Sequence, residues 1–526
     1  MPNSGSGFRW GAGEWLTLGA IAVLGLATIP QPFAWDQAMF ALGARRLAEG
    51  GVLYRDYWDP KQPAMFAFYW LGGRLFGFSE AGEHAFELIY MLAFAAAVMA
   101  IVGARFGRGA GRIAAALSVG LFLAAETDGL HSQIECVAGL PILLTLAAAV
   151  RGSEEPERRP LWLVLSGIAG GVALAFKLIL LPILAGFWVV ALLDAAAAGI
   201  AALGIAVLAI AVGAALPLGA SAAYFAAHDA LAIAWWTSFV YPVVVLREAH
   251  EPRLHTLYLS ARWFVLHWAP VIGAAVVGFA RVRRFWSDRF TLGLASWLVL
   301  AAGVLLVQRL SYWPYHFLIF IVPLAAFAGP GLGLLGRMLE SRWPSAIGRR
   351  ALAAVLALIA FAPSLGPWAA QALAIARDGF ALSPAAFRRE LDRSNPGGVY
   401  PKIRAEVAFL GEPGAIPGAI WVVGNPLYSW LSGRDQAVAR NGASFIDYAS
   451  AEEWSRITAS LEAAKPAYIY VHDEYGAFLP KRRDRAASFL ALIGGEYQTV
   501  RRSAHGTWYA RGAAGAAATS TPAGTP

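Results

Sequence analysis

Asp36 stands directly behind an apolar run, in Phe33-Ala34-Trp35-Asp36-Gln37. A carboxylate there can take a proton from an acceptor hydroxyl, provided something holds it within hydrogen-bond reach. The competing role for an aspartate ahead of a helix-like segment is to cap its free N–H groups. A second group, Tyr54-Arg55-Asp56-Tyr57-Trp58-Asp59-Pro60-Lys61-Gln62-Pro63, packs two carboxylates, two cations and three aromatic rings into ten residues. Arg55 or Lys61 suits a phosphate and the rings suit a sugar; equally, Asp59-Pro60 suits a helix cap and the rings an interface belt. The third group is Glu126, Asp128, His131 and Glu135. Acid and histidine together suit a divalent metal, but two histidines or an ordered ligand spacing are missing, so a solvated loop or a polar cavity wall is the stronger reading. Lys177 is a lone cation between apolar runs, placed to snorkel or to meet an anionic headgroup. In the last group, Gln308-Arg309-Leu310-Ser311-Tyr312-Trp313-Pro314-Tyr315-His316, Arg309 is the one cation. It can clamp a phosphate bidentately, or snorkel beside an aromatic belt.

What positions these groups is a set of membrane spans. The chain has 526 residues, 58% hydrophobic and 14% charged, against roughly 45–50% and about 25% in soluble domains, which excludes an ordinary soluble enzyme. Apolar stretches of bilayer length recur about eleven times. They fall near Trp15–Phe33, His84–Val102, Arg112–Ala125, Ile134–Val150, Leu161–Phe176, Leu178–Leu193, Ile200–Leu218, Trp263–Phe279, Thr291–Val307, Tyr315–Gly331 and Ala351–Leu365. The pair around Lys177 reads either as two short spans or as one long kinked one. The net charge of +8 is a topology signal, with no nucleic-acid partner implied. Arg105, Arg108 and Arg112, then Arg151, Arg158 and Arg159, then Arg281, Arg283, Arg284 and Arg289, then Arg337, Arg342, Arg349 and Arg350 occupy alternate loops. That pattern puts the N-terminus in the cytoplasm and the four polar groups on the outer face. With a single cysteine, Cys136, no intramolecular disulfide can form.

The expected organisation is a polytopic module over residues 1–367, an outer α/β domain over 368–511 and a disordered tail over 512–526. Within the module a first outer loop, 34–83, holds interfacial helices at Gln37–Glu49 and Pro63–Phe76. Another outer loop, about Gly219 to Arg262, carries Tyr224, Trp235, Trp236 and Tyr241. In the outer domain Ala419–Gly424 and Ala467–His472 read as buried strands and Ala451–Ala464 as a helix.

One arrangement of residues is specific. An N-terminal span runs into Asp36, then Ala44-Arg45-Arg46-Leu47-Ala48-Glu49-Gly50-Gly51-Val52-Leu53 leads into the charged run through Pro63, then Leu75-Phe76-Gly77. This resembles the first outer loop of bacterial GT-C fold glycosyltransferases of the family-39-like group, related to protein O-mannosyltransferases and aminoarabinose transferases. Ser132-Gln133-Ile134-Glu135, Phe176-Lys177, Tyr315-His316-Phe317 and Ile420–Tyr428 through Gly433-Arg434 are similar to later landmarks of that group. Gln37 stands where many relatives carry a second acid.

The resemblance implies a GT-C fold of about eleven transmembrane helices with a C-terminal extracytoplasmic α/β domain. It implies hexosyl or pentosyl transfer from a polyprenyl-phosphate donor to the hydroxyl of a glycan, lipid or protein acceptor, in the bacterial inner membrane. Catalytic roles map onto Asp36 and Asp56, and substrate contacts onto Arg55, Asp59, Lys61, Glu135, Lys177, Arg309, Tyr315 and His316. No cofactor is implied, and a divalent metal is the weaker expectation. A lipid-linked sugar flippase would instead place charges at mid-span and show internal symmetry. A glycan polymerase or ligase would carry its main hydrophilic loop between later spans.

Overall fold

The computed structural model describes residues 10–125, 131–248, 253–282, 288–308, 311–342, 345–394, 398–479 and 483–512. Among them, ten helices are long and apolar enough to cross a membrane. They are α4 (Glu80–Phe106), α5 (Arg108–Ala125), α6 (Ile134–Glu154), α7 (Pro156–Phe176), α8 (Leu178–Ala197), α9 (Ile200–Ala227), α11 (Leu254–Val282), α12 (Arg289–Val307), α13 (Pro314–Arg342) and the Ile359–Arg377 part of α14 (Ala346–Arg377). The expected first span is α1 (Ala12–Leu26), a 15-residue helix. At 1.5 Å per residue it covers about 22 Å, short of the roughly 30 Å hydrocarbon core. Pro30 and Pro32 follow, and neither can continue a helix.

The chain around Lys177 is a hairpin. Lys177 is extended (φ −162°, ψ 111°), and α8 opens with a 3-10 turn, Leu178–Leu180, followed by Pro182 in the first turn of its α-helical part, Leu181–Ala197. Trp188 Nε1 in α8 donates to Ser166 Oγ in α7 at 3.1 Å, and Arg159 at the start of α7 reaches Asp194 O at the end of α8. The two helices therefore run antiparallel, which leaves Lys177 at the bend.

Ion pairs sort the loops onto two faces. Arg108 and Arg112 close on Glu14, Arg105 on Glu154 and Asp288, and Arg289 on Asp194. Three of the four basic loops of the sequence, those around 105–112, 151–159 and 281–289, thus share one end of the bundle. The opposite end carries Asp36, Lys61, Glu135, Lys177 and the C-terminal domain.

The segment read as a first outer loop, 34–83, is packed into the protein rather than lying along an interface, with Gln37 to Ala44 of its first helix buried. Helix α2 (Trp35–Ala48) and helix α3 (Pro63–Phe76) lie within it, the latter starting on a proline whose missing N–H is no loss at that position. Between them the chain turns tightly through Tyr54, which holds a left-handed φ of 68°. Three bonds hold this costly conformation: Tyr54 N to Tyr57 O (2.7 Å), Asp56 N to Val52 O (2.8 Å) and Tyr54 Oη to Lys61 O (2.8 Å). The later outer loop is mostly helical. Helix α9 runs on to Ala227, and α10 (Leu231–Arg247) includes a π-turn at Trp236–Val240.

The C-terminal domain is built on a four-stranded sheet in the order β1-β2-β4-β3, from β1 (Ile420–Val423), β2 (Tyr468–His472), β3 (Tyr497–Arg502) and β4 (Gly506–Arg511). β1 and β2 pair in parallel, and the β3–β4 hairpin adds antiparallel strands that the sequence reading did not anticipate. The expected helix at 451–464 forms over those residues. Along the free edge of β1, residues 436–442 add short bridges, Ile420 to Gln436 and Val423 to Gly442. Gly442 is required there, since a Cβ would lie 2.2 Å from Val422 O. The other side of this segment bridges Trp58, whose N–H donates to Ala439 O at 2.8 Å. The sheet is thereby tied by backbone bonds to the first outer loop.

Candidate functional site

Asp36 does not cap its helix. The residue ahead of α2 is Ala34, and its N–H is satisfied by the Gln37 side chain at 2.6 Å. Gln37 also donates from Nε2 to His131 O at 2.7 Å. Gln37 is therefore spent on structure, and Asp36 stands in the first helical turn, where the backbone N–H groups favour an anion, with its carboxylate left to side-chain partners. Its carboxylate meets Lys61 Nζ at 3.2 Å.

Lys61 is shared. Its Nζ also lies 3.7 Å from Asp59 Oδ1, and its N–H donates to the same oxygen at 3.0 Å. Burial alone would lower the lysine pKa, but attraction to Asp36 and Asp59 outweighs it and the net direction is upward. Asp59 is expected either to cap the following helix or to contact substrate; the residue ahead of α3 is instead Gln62, and the Asp59 side chain is 0% exposed and turned to Lys61.

Glu135 and Lys177 form an ion pair beside this corner, and Lys177 Nζ donates to Gln308 Oε1 at 2.7 Å. His316 Nε2 lies 3.8 Å from the same Glu135 oxygen. Tyr315 couples electrostatically to both Asp36 and Glu135, and His316 to both Lys177 and Lys61. Residues from α2, the turn ahead of α3, α6, the α7–α8 bend and the start of α13 thus converge on one end of the bundle. Gln308 belongs to this group too, at the end of α12. A cluster of this composition can take a proton at Asp36 and hold an anion between Lys61, Lys177 and the Tyr315–His316 pair.

Other expected residues are placed elsewhere. Arg55 and Asp56 pair with each other at 2.9 Å on the loop edge, with side-chain exposures of 48% and 27%. Arg55 also donates to His228 O at 3.0 Å, and Asp56 Oδ2 accepts from Val52 N at 2.7 Å. The Arg55 hydrogen bond holds the Asp56 carboxyl below its usual range. Among the described residues, no contact joins this pair to the Asp36 cluster. The rings of Tyr54, Tyr57 and Trp58 are buried and so offer no face to a sugar. Arg440 covers the Trp58 ring at 3.7 Å, and Trp58 Nε1 donates to Thr237 Oγ1 at 2.9 Å. Glu126, Asp128 and Arg309 lie outside the described residues. His131 is buried, its ring against Phe122 and His84.

The fold as a whole is similar to that of solved structures. ArnT from Cupriavidus metallidurans, bound to undecaprenyl phosphate, superposes with a TM-score of 0.57 over 96% of this chain and 99% of that chain, at 14% identity. Its apo form gives 0.56 over 94% and 97%, also at 14% identity. The archaeal oligosaccharyltransferase AglB from Archaeoglobus fulgidus, in complex with an inhibitory peptide and a dolichol-phosphate, gives 0.50 over 95% of this chain and 74% of that chain, at 14% identity. The chain has the GT-C fold. No protein-family model and no curated protein matches the sequence.

Within this GT-C scaffold a second polar group lies near the first, and the sequence reading passed over it. Glu83, His84 and Glu87 fall in the first turns of α4 and are buried. Glu87 accepts from Ser132 N at 2.5 Å and sits 3.3 Å from His84 Nδ1. Glu80 accepts from Trp430 Nε1 at 2.8 Å and from Tyr400 Oη at 3.1 Å. Tyr400 is also bonded to Phe33 N at 2.7 Å. These bonds fix the chain on both sides of Asp36, through Phe33 and, by way of the 131–132 turn, through Gln37. The signal was an acid–histidine set with helical spacing inside an apolar run.

Proposed function

We propose that this chain is an integral-membrane glycosyltransferase. It moves a sugar from a polyprenyl-phosphate carrier to an acceptor hydroxyl at the outer face of a bacterial cytoplasmic membrane. The observation that carries the reading is the Asp36 carboxylate, released from capping and set 3.2 Å from Lys61 beside the Lys177–Glu135 pair. The fold adds support, since the similar structures were solved with undecaprenyl phosphate and with a dolichol-phosphate.

In the proposed reaction the acceptor O–H bond breaks and its proton passes to Asp36. The acceptor oxygen bonds to the anomeric carbon as the bond from that carbon to the phosphate oxygen breaks. The electron pair leaves on the polyprenyl phosphate. General-base help of this kind is worth about 10²–10⁴-fold. Preplaced cations favour the departing phosphate because its charge develops in the transition state. Lys177, His316 and Tyr315 stand where that phosphate would lie, with Arg309 next in sequence to Gln308. Lys61 holds Asp36, Asp59 holds Lys61, and the Arg55–Asp56 pair closes the loop edge. The basic end of the bundle faces the cytoplasm in this reading, and the C-terminal domain lies outside.

The test is mass spectrometry of envelope glycans and glycolipids from source cells with the chain, without it, and with Asp36→Asn. The expected result is one species lighter by a single sugar in the last two, which also identifies sugar and acceptor. An unchanged profile in both overturns the proposal.

A further inference from the structure

The loop that carries Asn441 and Ser444 belongs to the C-terminal domain, yet its side chains end on the first outer loop. Asn441 builds its own turn, its Oδ1 accepting from Ala443 N and Ser444 N at 3.0 Å each. Its Nδ2 then donates to the Trp58 carbonyl at 2.8 Å and to Asp59 Oδ2 at 3.3 Å. Ser444 Oγ donates to the same Oδ2 at 2.5 Å and lies 2.9 Å from Met39 Sδ, one turn along α2 from Asp36. A buried carboxylate is tolerated only while its oxygens are occupied. With Oδ2 anchored from the C-terminal domain, Oδ1 is turned to Lys61, and Lys61 is delivered to Asp36.

We propose that Ser444 and Asn441 are positioning residues for transfer. They fix Asp59, Asp59 fixes Lys61, and Lys61 fixes the carboxylate that takes the proton. The inference rests on the transferase reading of the Asp36 corner and gives the C-terminal domain a part in the chemistry, although neither residue touches substrate. Residues 382 and 385 positions away from Asp59 in the chain complete the corner.

Ser444→Ala removes one hydroxyl and little volume. The expected result in the full-length protein is a fall in kcat of about tenfold, the worth of one hydrogen bond to a charged group. The donor KM should move by less than about twofold, since ground-state binding is untouched. Amide exchange at Lys61, whose N–H is bonded to Asp59, should speed up by about the same tenfold factor. Thr458→Val is the control, because Thr458 has a buried hydroxyl bonded to Trp454 O at 2.8 Å in the domain's separate core. It should weaken the domain and leave both kcat and Lys61 exchange unchanged. If wild type transfers no sugar while Ser444→Ala still speeds exchange at Lys61, the transferase reading falls and the anchor stands. Unchanged exchange and kcat in Ser444→Ala, or the same losses from Thr458→Val, overturn the inference.

Discussion

The two corners of the first outer loop make an instructive pair. Arg55–Asp56 and Lys61–Asp36 are both lysine- or arginine-to-aspartate pairs at close range, 2.9 Å and 3.2 Å. In sequence the first has the better claim, with two charges side by side in an aromatic setting. In space it closes on its own loop and on one backbone carbonyl. The second is held from below by Asp59, flanked by Glu135, Lys177, Gln308 and His316, and built from side chains of six parts of the chain. Density of charge in sequence therefore says little about chemistry here; what counts is how many separate elements are committed to placing one group.

That contrast can be broken by substitution. The largest effect is expected for Asp36→Asn, which should cost about 10²–10⁴-fold in kcat while the protein remains folded. A variant within a fewfold of wild type would remove the proposed base. Next is Lys177→Met combined with Glu135→Gln, the second change avoiding the roughly 3–5 kcal/mol cost of a buried carboxylate stripped of its cation. Transfer should lose about tenfold in kcat as well as in kcat/KM, as for a phosphate contact that strengthens while its charge develops. Normal kcat and kcat/KM would detach this pair from the carrier. Smaller still is Asp56→Asn, for which transfer should stay within about threefold of wild type, as befits an exposed pair. A loss as deep as that of Asp36→Asn would reverse the roles of the two corners.

The smallest expected effect concerns pH. Lys61 is raised above its ordinary 10.5, so its ion-pair contribution is complete below that value and is lost only as pH climbs beyond it. Asp56 is lowered below its ordinary 3.8, so its contribution is present above that value and disappears only as pH falls through the lowered one. Lys61 and Asp56 should both be silent between about pH 5 and 9.5. In thermal melts across that range, the difference between wild type and Asp56→Asn should stay constant, because the Arg55 left behind keeps its charge throughout; a slope would show that Asp56 titrates within it.

Much of the scaffold was legible because hydropathy is a local signal. Ten of the eleven expected spans formed as long apolar helices, and α2, α3 and strands β1 and β2 appeared close to their expected places. The β3–β4 hairpin was not legible, since Tyr497–Arg502 is a largely exposed strand with no apolar run to announce it. The span through Phe33 ended early because prolines interrupted a pattern that hydropathy alone extends. In the candidate site, Asp36, Lys61, Glu135, Lys177, Tyr315 and His316 were all named from local anomalies, charges where the membrane does not explain them. Asn441 and Ser444 were invisible, because their polar side chains are ordinary in a loop and acquire meaning only from contact with Asp59. Trp58 misled for the converse reason, since an aromatic ring suits a sugar and a neighbouring arginine equally well, and Arg440 occupies it.

The most direct test of the central claim uses purified protein in liposomes with polyprenyl-phosphate sugar labelled in both sugar and lipid. Once a hydroxyl acceptor is supplied, the label should separate, leaving free polyprenyl phosphate in the membrane and labelled sugar on the acceptor. Intact donor appearing in the opposite leaflet, with the sugar–phosphate bond unbroken, would contradict it.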